Sequence, residues 1–369
     1  MISKLEISKA NLVHNLKAFE KYLDGRSKII PVVKSNAYGH GLVEVVSILE
    51  PYVSMFMVDD INELELVRKH TEKEVFVSGY VVSSELERAV ELGCILSIYD
   101  KQRLKLLNKI AKAKDKQIQI HIKVDALIGR QGVMIDDFDV FLEEVKECKN
   151  ITVDAIYSHF SDLDDNNNTA HAQKQLLLFN EFIDIVKRKG LGNIKKHICA
   201  TAGTLVFPEL GFDYVRLGIG LYGLWKSENL KESFEAKVNI KPVLSWKTIV
   251  AQVKKIPKGY PVSYNCTFIA PSPMVIAIIP QGYSDGYPRS LSGKGYVLIQ
   301  GTKCPVLGRI AMNMFVIDIT HIQNVQVENE VVLIGRQGQE EITAGDLAIS
   351  SINYEVEARL SPLIPRIIV

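Results

Sequence analysis

Eight short apolar runs, spread over residues 10 to 225, constrain the fold of this chain more than any other feature. Helical stretches separate many of them; in residues 11–23, for example, Leu12, Leu16 and Phe19 share one face. Eight strand-plus-helix units in about 215 residues favour a closed (β/α)8 TIM barrel, an α/β fold, over an open sheet. The runs are Ile29–Lys34, Met55–Asp59, Glu74–Ser78, Ile95–Tyr99, Ile118–Val124, Asp154–His159, Lys196–Ala200 and Tyr214–Ile219.

The pattern changes after Trp225. A polar stretch, KSENLKESFEAK, leads to short strand-like runs that Gly and Pro turns divide. We therefore predict a barrel over residues 10–230 and a C-terminal mainly-β domain over residues 231–369, which an N-terminal strand, residues 1–9, joins. The predicted strands of the second domain are Val243–Val253, Met274–Ile279, Gly295–Gln300, Phe315–Ile319 and Val331–Ile334.

Charge and cysteine content exclude several classes of protein. The formal net charge is +1, without a long run of one sign, which gives no support for binding nucleic acid or an anionic membrane. The start, MISKLEISK, lacks the apolar core of a signal peptide, and no stretch is long enough to span a bilayer. Five well-separated cysteines without a CxxC pair are typical of a cytoplasmic protein. The histidines show no HExxH or paired spacing, so we predict no metal site.

Cationic side chains follow several predicted strands. Lys34 ends the first strand, Lys123 lies in the fifth and leads to Arg130, and His159 and Arg216 lie at the ends of the sixth and eighth. Barrel enzymes place their reactive groups at the carboxyl ends of the strands, so these side chains should converge on one rim. Converging cations are unfavourable unless they bind an anion.

The loops after the seventh and eighth strands predict a phosphate site. Thr201 offers a hydroxyl there, and Gly218 lets backbone N–H groups approach an anion closely. A phosphate on one side of the rim and a lysine on the other would frame a flat cofactor, because lysine amines form Schiff bases. Pyridoxal 5'-phosphate carries one phosphate and one aldehyde. Each signal alone is also typical of a solvated lysine, a turn or a packed histidine.

Nine motifs, taken in chain order, resemble those of the alanine racemase family. The resemblance covers essentially the whole chain and implies a homodimer of fold-type III pyridoxal-phosphate enzymes, with active sites between the barrel of one subunit and the β domain of the other. It implies an amino-acid racemase, first of all one that interconverts L-alanine and D-alanine and supplies D-alanine for peptidoglycan. The motifs are VVKSNAYGHG, HIKVDALIGRQG, YSHFSDLDD, RLGIGLYG, PVLSWKT, VSYNCTF, GYSDGYPR, GRIAMNMFVID and INYEVEARLSPLIPR.

The resemblance also implies roles for particular residues. Lys34 would hold the cofactor and act as base on the D-substrate face, and Tyr264 would come from the partner subunit as base on the L-substrate face. Arg216 would face the pyridine nitrogen, His159 would stack on the ring and link to Arg216, and Lys123 would be open to carbamylation. The other implied residues are Tyr38, Thr201, Gly218, Ile219 and Tyr354 around the phosphate, and Arg130, Met312 and Tyr283 near the substrate.

Racemisation explains why these residue types are needed. The α-proton leaves from one face and returns to the other, which requires two bases and an electron sink. A tyrosine, with an ordinary pKa near 10, can serve only if nearby positive charge lowers that pKa, and the arm of His159 and Arg216 would supply the charge. An arginine at the pyridine nitrogen donates a hydrogen bond but keeps its proton, which disfavours a long-lived quinonoid and transamination. Arg216 therefore argues against a decarboxylase of this fold type, where a carboxylate is expected.

Departures from the family pattern near the pocket bear on substrate identity more than on reaction type. A racemase of serine, or of a broad set of amino acids, is therefore an alternative. A non-catalytic cofactor-binding protein is another, although the β domain that carries Tyr264 argues against it. The departures are Leu127 for a glycine in DALIGR, Ala200 and Thr201 for Asn-Ser, Leu217 for a proline, and Asn313 for an aspartate.

Overall fold

The computed structural model describes residues 1–210, 212–349 and 351–369. They form two compact units, which we call the barrel unit and the strand unit. No helix among these residues is both long and apolar enough to cross a membrane. The barrel unit comprises Leu12–Ser35 and Val45–Lys241, and the strand unit comprises Met1–Asn11, Asn36–Glu44 and Pro242–Val369.

Within the described residues of the barrel unit, eight parallel strands form the barrel, and the predicted TIM barrel is confirmed. The third to eighth strands of the chain pair in order, and the second pairs with the ninth. Isolated bridges from Val32 to Met57 and from Ala200 to Arg216 complete the ring. In chain order, β1 (Ser3–Ile7) lies in the strand unit, and the barrel strands are β2 (Lys28–Pro31), β3 (Met55–Val58), β4 (Glu74–Val77), β5 (Ile95–Ile98), β6 (Ile118–Lys123), β7 (Ile151–Tyr157), β8 (Lys195–His197) and β9 (Tyr214–Leu217).

Helices follow most of the barrel strands and bury one apolar face. Leu12, Leu16 and Phe19, which share a face in the sequence pattern, are all buried. Asp60 and Asp100 cap two later helices, because each side chain accepts a backbone N–H of the first turn. The helices are α1 (Lys9–Leu23), α2 (Lys34–Tyr38), α3 (Leu42–Leu49), α4 (Ile61–Arg68), α5 (Leu86–Leu92), α6 (Lys101–Ala113), α7 (Ile135–Glu147), α8 (Ala170–Arg188), α9 (Thr201–Val206), α10 (Glu228–Phe234), α11 (Ala344–Leu347) and α12 (Asn353–Ala358).

The strand unit is mainly β, and its largest sheet includes the N-terminal strand. Leu5 and Ile7 are buried while Lys4 and Glu6 are less so, as the alternating sequence of β1 requires. The strands are β10 (Leu244–Ile249), β11 (Gln252–Ile256), β12 (Pro261–Val262), β13 (Phe268–Ile269), β14 (Met274–Ile279), β15 (Tyr296–Ile299), β16 (Thr302–Leu307), β17 (Phe315–Asp318), β18 (Glu330–Gln337), β19 (Glu340–Ile342) and β20 (Arg366–Ile368).

One strand predicted in this unit was wrong, because the structure forms two strands there. The predicted strand Val243–Val253 is divided between two strands, β10 and β11, that are separated by Val250 and Ala251. The reason is a change of neighbours, because β10 pairs with β1 and β18 whereas β11 pairs with β14. The sequence VLSWKTIVAQV does not reveal such a change, since both halves are compatible with a strand.

Candidate active site

The carboxyl ends of the barrel strands bring the predicted cationic residues to one rim. Lys34 follows β2, Lys123 ends β6, His159 follows β7 and Arg216 lies in β9. Parallel strands of a barrel run in one direction, so their carboxyl ends share one rim. Arg130 belongs to the same group, because it lies in the loop that follows β6.

Arg216 is buried and held by several acceptors. Its Nη2 donates to the carbonyl oxygens of Ser158 (2.7 Å) and Ile198 (3.0 Å) and to Nδ1 of His159 (3.0 Å). Its Nη1 donates to Nδ1 of His197. Burial lowers the pKa of Arg216 to about 10, so the guanidinium still carries its charge at neutral pH. The backbone carbonyl oxygens therefore fix the orientation of this charged guanidinium at the rim.

His159 lies against this cation as a neutral imidazole. Burial, followed by the charges of Arg216 and Arg130, lowers the pKa of His159 well below its ordinary value. Its Nδ1 accepts a hydrogen bond from Arg216, so the proton of the neutral ring is on Nε2. The positive charge of the predicted arm thus resides on Arg216 alone.

Two carboxylates that were not recognised from the sequence, Asp59 and Glu63, position Lys34. Its Nζ lies 3.2 Å from Oδ1 of Asp59, which follows β3. Glu63 accepts the backbone N–H of Ser35 at 2.5 Å with one oxygen and that of Asp59 at 2.9 Å with the other. This carboxylate therefore aligns the ends of β2 and β3, and with them the lysine.

The segment after Lys34 has a rare backbone conformation. Residues 35–38 all have φ between +52° and +55°, so α2 is a left-handed turn that ends at Tyr38. Such a conformation costs L-residues about 1–2 kcal/mol each, so surrounding contacts must hold it. Arg366 donates two hydrogen bonds to the carbonyl oxygen of Gly39 (3.1 and 2.9 Å). A Cβ on Gly39 would lie 1.9 Å from the carbonyl oxygen of Glu357, so only glycine fits this approach.

Lys123 is buried among other cations. Its Nζ donates to Oε1 of Gln131 (3.1 Å). Burial, together with the charges of Arg130, Arg216 and Lys34, lowers the pKa of Lys123 to about 8. A considerable fraction of this amine is therefore neutral, and hence nucleophilic, in weakly alkaline solution.

Asp125 shapes the loop that presents Arg130. Its Oδ1 accepts the backbone N–H groups of Ile128 (2.8 Å) and Gly129 (3.1 Å), and its Oδ2 accepts that of Arg130 (3.2 Å). Leu127, which replaces a glycine of the family pattern, has φ +59° and a half-exposed side chain. The loop thus keeps a bend that glycine would adopt without strain.

Backbone N–H groups and a hydroxyl meet at the ends of β8 and β9. Thr201 begins α9, and Gly218 precedes the short 3₁₀ helix that begins at Ile219. Oγ1 of Thr201 accepts the N–H of Gly220 (3.2 Å), which ties the two segments together. N–H groups in the first turn of a helix have no acceptor within the helix, so both segments direct donors outward. This donor set suits a phosphate group.

The remaining predicted residues lie in the strand unit. Tyr264 is 66% exposed, in a short turn between Ser263 (φ +62°) and Asn265 (φ +60°). Tyr283 and Met312 are close in space, because the N–H of Tyr283 donates to the carbonyl oxygen of the residue before Met312 (3.2 Å). Tyr354 lies in α12.

One departure from the family pattern has a defined contact in the strand unit. Nδ2 of Asn313 donates to Oγ of Ser284 (2.8 Å), and the same hydroxyl donates to the carbonyl oxygen of Met312 (2.8 Å). An amide can make the first of these bonds as a donor, whereas an aspartate in its place could only accept. Asn313 therefore connects the loop of Met312 to that of Tyr283.

Three functional candidates were not recognised from the sequence: Asp59, Glu63 and His197. The signal for Asp59 was an acidic pair directly after the apolar run MFMV. The signal for His197 was a histidine inside a buried strand, which requires a hydrogen-bond partner. Both signals depend on strand ends, which become informative only when the neighbouring strands are known.

Family models match most of the chain. Residues 7–226 match the family described as alanine racemase, N-terminal domain, and residues 243–368 match alanine racemase, C-terminal domain. The alanine racemase of Leptospira interrogans serovar copenhageni is 35% identical over 377 residues, covering 100% of this chain and 96% of that relative.

Solved structures agree with the fold. The alanine racemase of Clostridium difficile 630 has a TM-score of 0.94 at 27% identity, covering 100% of this chain and 96% of the other. The alanine racemase of Bartonella henselae with covalently bound pyridoxal phosphate has a TM-score of 0.88 at 24% identity, with both chains fully covered, and this likeness concerns the fold alone.

Proposed function

Because the chain belongs to the alanine racemase family, we propose that it interconverts L-alanine and D-alanine with pyridoxal 5'-phosphate bound through Lys34. The observation that carries the proposal is the buried guanidinium of Arg216, fixed by the carbonyl oxygens of Ser158 and Ile198 on the rim that Lys34 shares. A cation in this position suits a racemase, because it would donate a hydrogen bond to the pyridine nitrogen without protonating it.

The residues of the barrel unit fit this cofactor. Lys34 supplies a primary amine for the aldehyde, Arg216 a donor for the pyridine nitrogen, and the N–H groups at Thr201, Gly218 and Ile219 donors for the phosphate. We assign Tyr38 and Tyr354 to the phosphate as well, from the resemblance of their motifs. When bound, pyridoxal phosphate withdraws electron density from the α-carbon of the amino acid and so makes its proton acidic.

The chain supplies the two bases. Nζ of Lys34 takes or returns the α-proton on the D-substrate face, and the phenol oxygen of Tyr264, from the partner subunit, does so on the L-substrate face. Without the cofactor, Oδ1 of Asp59 lies 3.2 Å from the lysine amine and so orients it. Arg216 remains charged, because its burial lowers its pKa only to about 10. Its charge favours the ionised form of a phenol placed nearby.

Arg130 and Lys123 orient the substrate in this proposal. Arg130 meets the carboxylate of the amino acid, together with Met312, and Tyr283 lies at the entrance. The pKa of Lys123, about 8, supports carbamylation: the neutral amine attacks carbon dioxide, a nitrogen–carbon bond forms, and one proton is released. The resulting anion would neutralise neighbouring cations and hold Arg130.

A direct test of the carbamate uses ¹³C-labelled bicarbonate. The wild-type protein should show a carbamate carbon signal by NMR that is absent from Lys123→Met. An identical spectrum for the two proteins would exclude the modification.

A homodimer and a cytoplasmic location complete the proposal. The exposure of Tyr264 supports a subunit contact, since large apolar and aromatic side chains at the surface commonly mark interfaces. Other exposed side chains of the strand unit with this character are Tyr260, Ile269, Tyr283, Met312 and Met314. All five cysteines are free, which supports a reducing compartment. Light scattering after size exclusion tests the dimer.

The decisive experiment combines a substrate panel with two variants. The holoprotein is incubated with individual L-amino acids, and the D-forms are quantified by chiral chromatography. Alanine should racemise fastest. A faster reaction of serine would identify serine as the preferred substrate, and equal rates for many amino acids would indicate a broad specificity. Absence of any D-form would leave a cofactor-binding protein instead.

Variants separate the base from the binding of the cofactor. Tyr264→Phe should keep the visible absorbance of the lysine-bound cofactor and lose most racemisation, whereas the control Tyr52→Phe, at an exposed tyrosine of the barrel unit, should keep both. Lys34→Ala should lose the absorbance. Wild-type turnover by Tyr264→Phe would remove the two-base assignment.

A further inference from the structure

A buried chain of side chains continues from Arg216 into the barrel, and nothing in the proposed reaction uses it. We propose that His197, His121 and Asp154 are positioning residues for the racemase site: they form a one-directional hydrogen-bond chain that presents Arg216 to the cofactor as a fixed, donor-only cation. This inference deepens the proposed function and rests on it. The arrangement of the chain itself can be tested without any activity.

The contacts are continuous. Nη1 of Arg216 donates to Nδ1 of His197, and Nε2 of His197 lies 3.1 Å from Nδ1 of His121. Nε2 of His121 lies 2.9 Å from Oδ2 of Asp154, whose other oxygen accepts from Nζ of Lys195 (2.7 Å). Both histidine side chains have no exposed surface. Water therefore does not compete for any link between the two rings.

The donors and acceptors of this hydrogen-bond chain allow only one arrangement of protons. A guanidinium has donors only, so Nδ1 of His197 must accept and the proton of that ring is on Nε2. This N–H donates to Nδ1 of His121, whose own proton is then on Nε2 and is donated to Asp154. A second proton on either ring would set two N–H groups against each other in a buried site, which is unfavourable. Each ring is therefore a neutral Nε2–H tautomer.

The electrostatics of the groups agree with this placement. Burial lowers the pKa of His197 well below its ordinary value, and it also lowers the pKa of His121. Burial alone would raise the pKa of Asp154, but the hydrogen bonds from His121 and Lys195 outweigh it and lower that pKa. The chain thus begins at a cation, passes through two neutral rings and ends at a carboxylate.

Packing prevents the rings from turning. The ring of Tyr157 is stacked on His197, with centroids 4.8 Å apart and an interplanar angle of 6°. The ring of Phe76 lies 4.4 Å from that of His121. The hydroxyl of Tyr157 is 2.7 Å from Oγ of Ser97, which holds the stacking tyrosine in place. The tautomers are therefore fixed by geometry as well as by hydrogen bonding.

The consequence for Arg216 follows from the polarity of the chain. Asp154 polarises His121, which polarises His197, and hydrogen-bonded chains strengthen each link in this way. Nδ1 of His197 thereby becomes a stronger hydrogen-bond acceptor and draws part of the positive charge of Arg216 toward itself. The donor that Arg216 would offer to the pyridine nitrogen would then be held rigidly and would be weaker than a free guanidinium, which would keep that nitrogen unprotonated.

The first test reads the tautomers in the protein without cofactor. Histidine-selective ¹⁵N NMR should show His197 and His121 as neutral rings with the proton on Nε2 throughout the neutral pH range. A proton on Nδ1, or an imidazolium at either position, would overturn the proposal. The assay does not depend on racemisation, so it separates a failure of this inference from a failure of the proposed function.

The second test uses matched variants of the holoenzyme. His197→Phe keeps a ring on Tyr157 but removes the acceptor, whereas His197→Gln supplies an amide oxygen to Arg216 and an N–H to His121. Loss of one hydrogen bond to a charged group should lower kcat of His197→Phe by about 10- to 100-fold. The kcat of His197→Gln should recover to within about threefold of the wild-type value. The kcat of the control His70→Phe, at an exposed histidine, should equal that of the wild type.

Two results would refute the positioning role. One is a wild-type kcat in His197→Phe; the other is an equal loss in both His197 variants, which would indicate packing alone. The proposal also requires that His197→Phe changes KM for alanine less than it changes kcat, because Arg216 would contact the cofactor and not the substrate. If His197→Phe does not fold, the glutamine variant and the NMR measurement still decide the question.

Discussion

Replacement of Asp125 by asparagine should loosen the loop that carries Arg130. Asp125 is 7% exposed and accepts three backbone N–H groups, from Ile128 and Gly129 on one oxygen and from Arg130 on the other. An amide keeps one acceptor oxygen, so the first two bonds can remain while an NH₂ group faces the N–H of Arg130. The N–H of Arg130 loses its hydrogen bond to a charged acceptor, and the buried NH₂ group of the new side chain is left unpaired. Together these two losses cost about 2–3 kcal/mol.

Urea unfolding of Asp125→Asn at fixed protein concentration measures this loss. The control Asp136→Asn, at an exposed site in the first turn of α7, should remain within about 0.5 kcal/mol of the wild type. If Arg130 binds the substrate carboxylate, KM for alanine should rise about 10- to 100-fold in Asp125→Asn, because small displacements of a positioning group are costly. Unfolding free energies of Asp125→Asn and Asp136→Asn that coincide would refute the reasoning about the loop.

Three further predictions concern unusual backbone and burial. Leu127→Gly should raise the unfolding free energy in urea by about 0.5–1 kcal/mol, because relief of the left-handed conformation (about 1–2) exceeds the added chain entropy of glycine (about 0.5–1); a less stable variant contradicts this. Gly39→Ala should lower the unfolding free energy by about 2–5 kcal/mol, since its Cβ would meet the carbonyl oxygen of Glu357 at φ +87°; unchanged calorimetric stability would show that the approach relaxes freely. Burial raises the pKa of Glu357 well above its model-peptide value of 4.5, so above pH 4.5 the unfolded state releases a proton that the native state retains, and stability falls as pH rises. Glu357→Gln should therefore lose less stability than the wild type between pH 5 and pH 8, and equal pH slopes in urea unfolding would exclude a buried neutral carboxyl.

Much of the fold could be predicted from the sequence because barrel strands are short, apolar and buried on both faces. The starts of β3, β4, β5, β6 and β9 coincide with those of the predicted runs. This success has a local cause, since each run records the burial of its own residues. The same local information failed at Val243–Val253, where the half-buried β10 and the largely exposed β11 follow each other and pair with different strands.

The sequence alone determined the order of the elements, the side of the barrel on which Lys34, His159 and Arg216 lie, and the family to which their motifs are similar. Hydrophobic periodicity and strand direction are properties of neighbouring residues, so they can be read along the chain. Only the tertiary structure decided that Glu63 joins the ends of two strands and that residues 36–44 pack with the strand unit. It also decided that His197 meets His121, which is distant in the sequence, because ring closure and strand register, which no local pattern encodes, set the distances between their side chains.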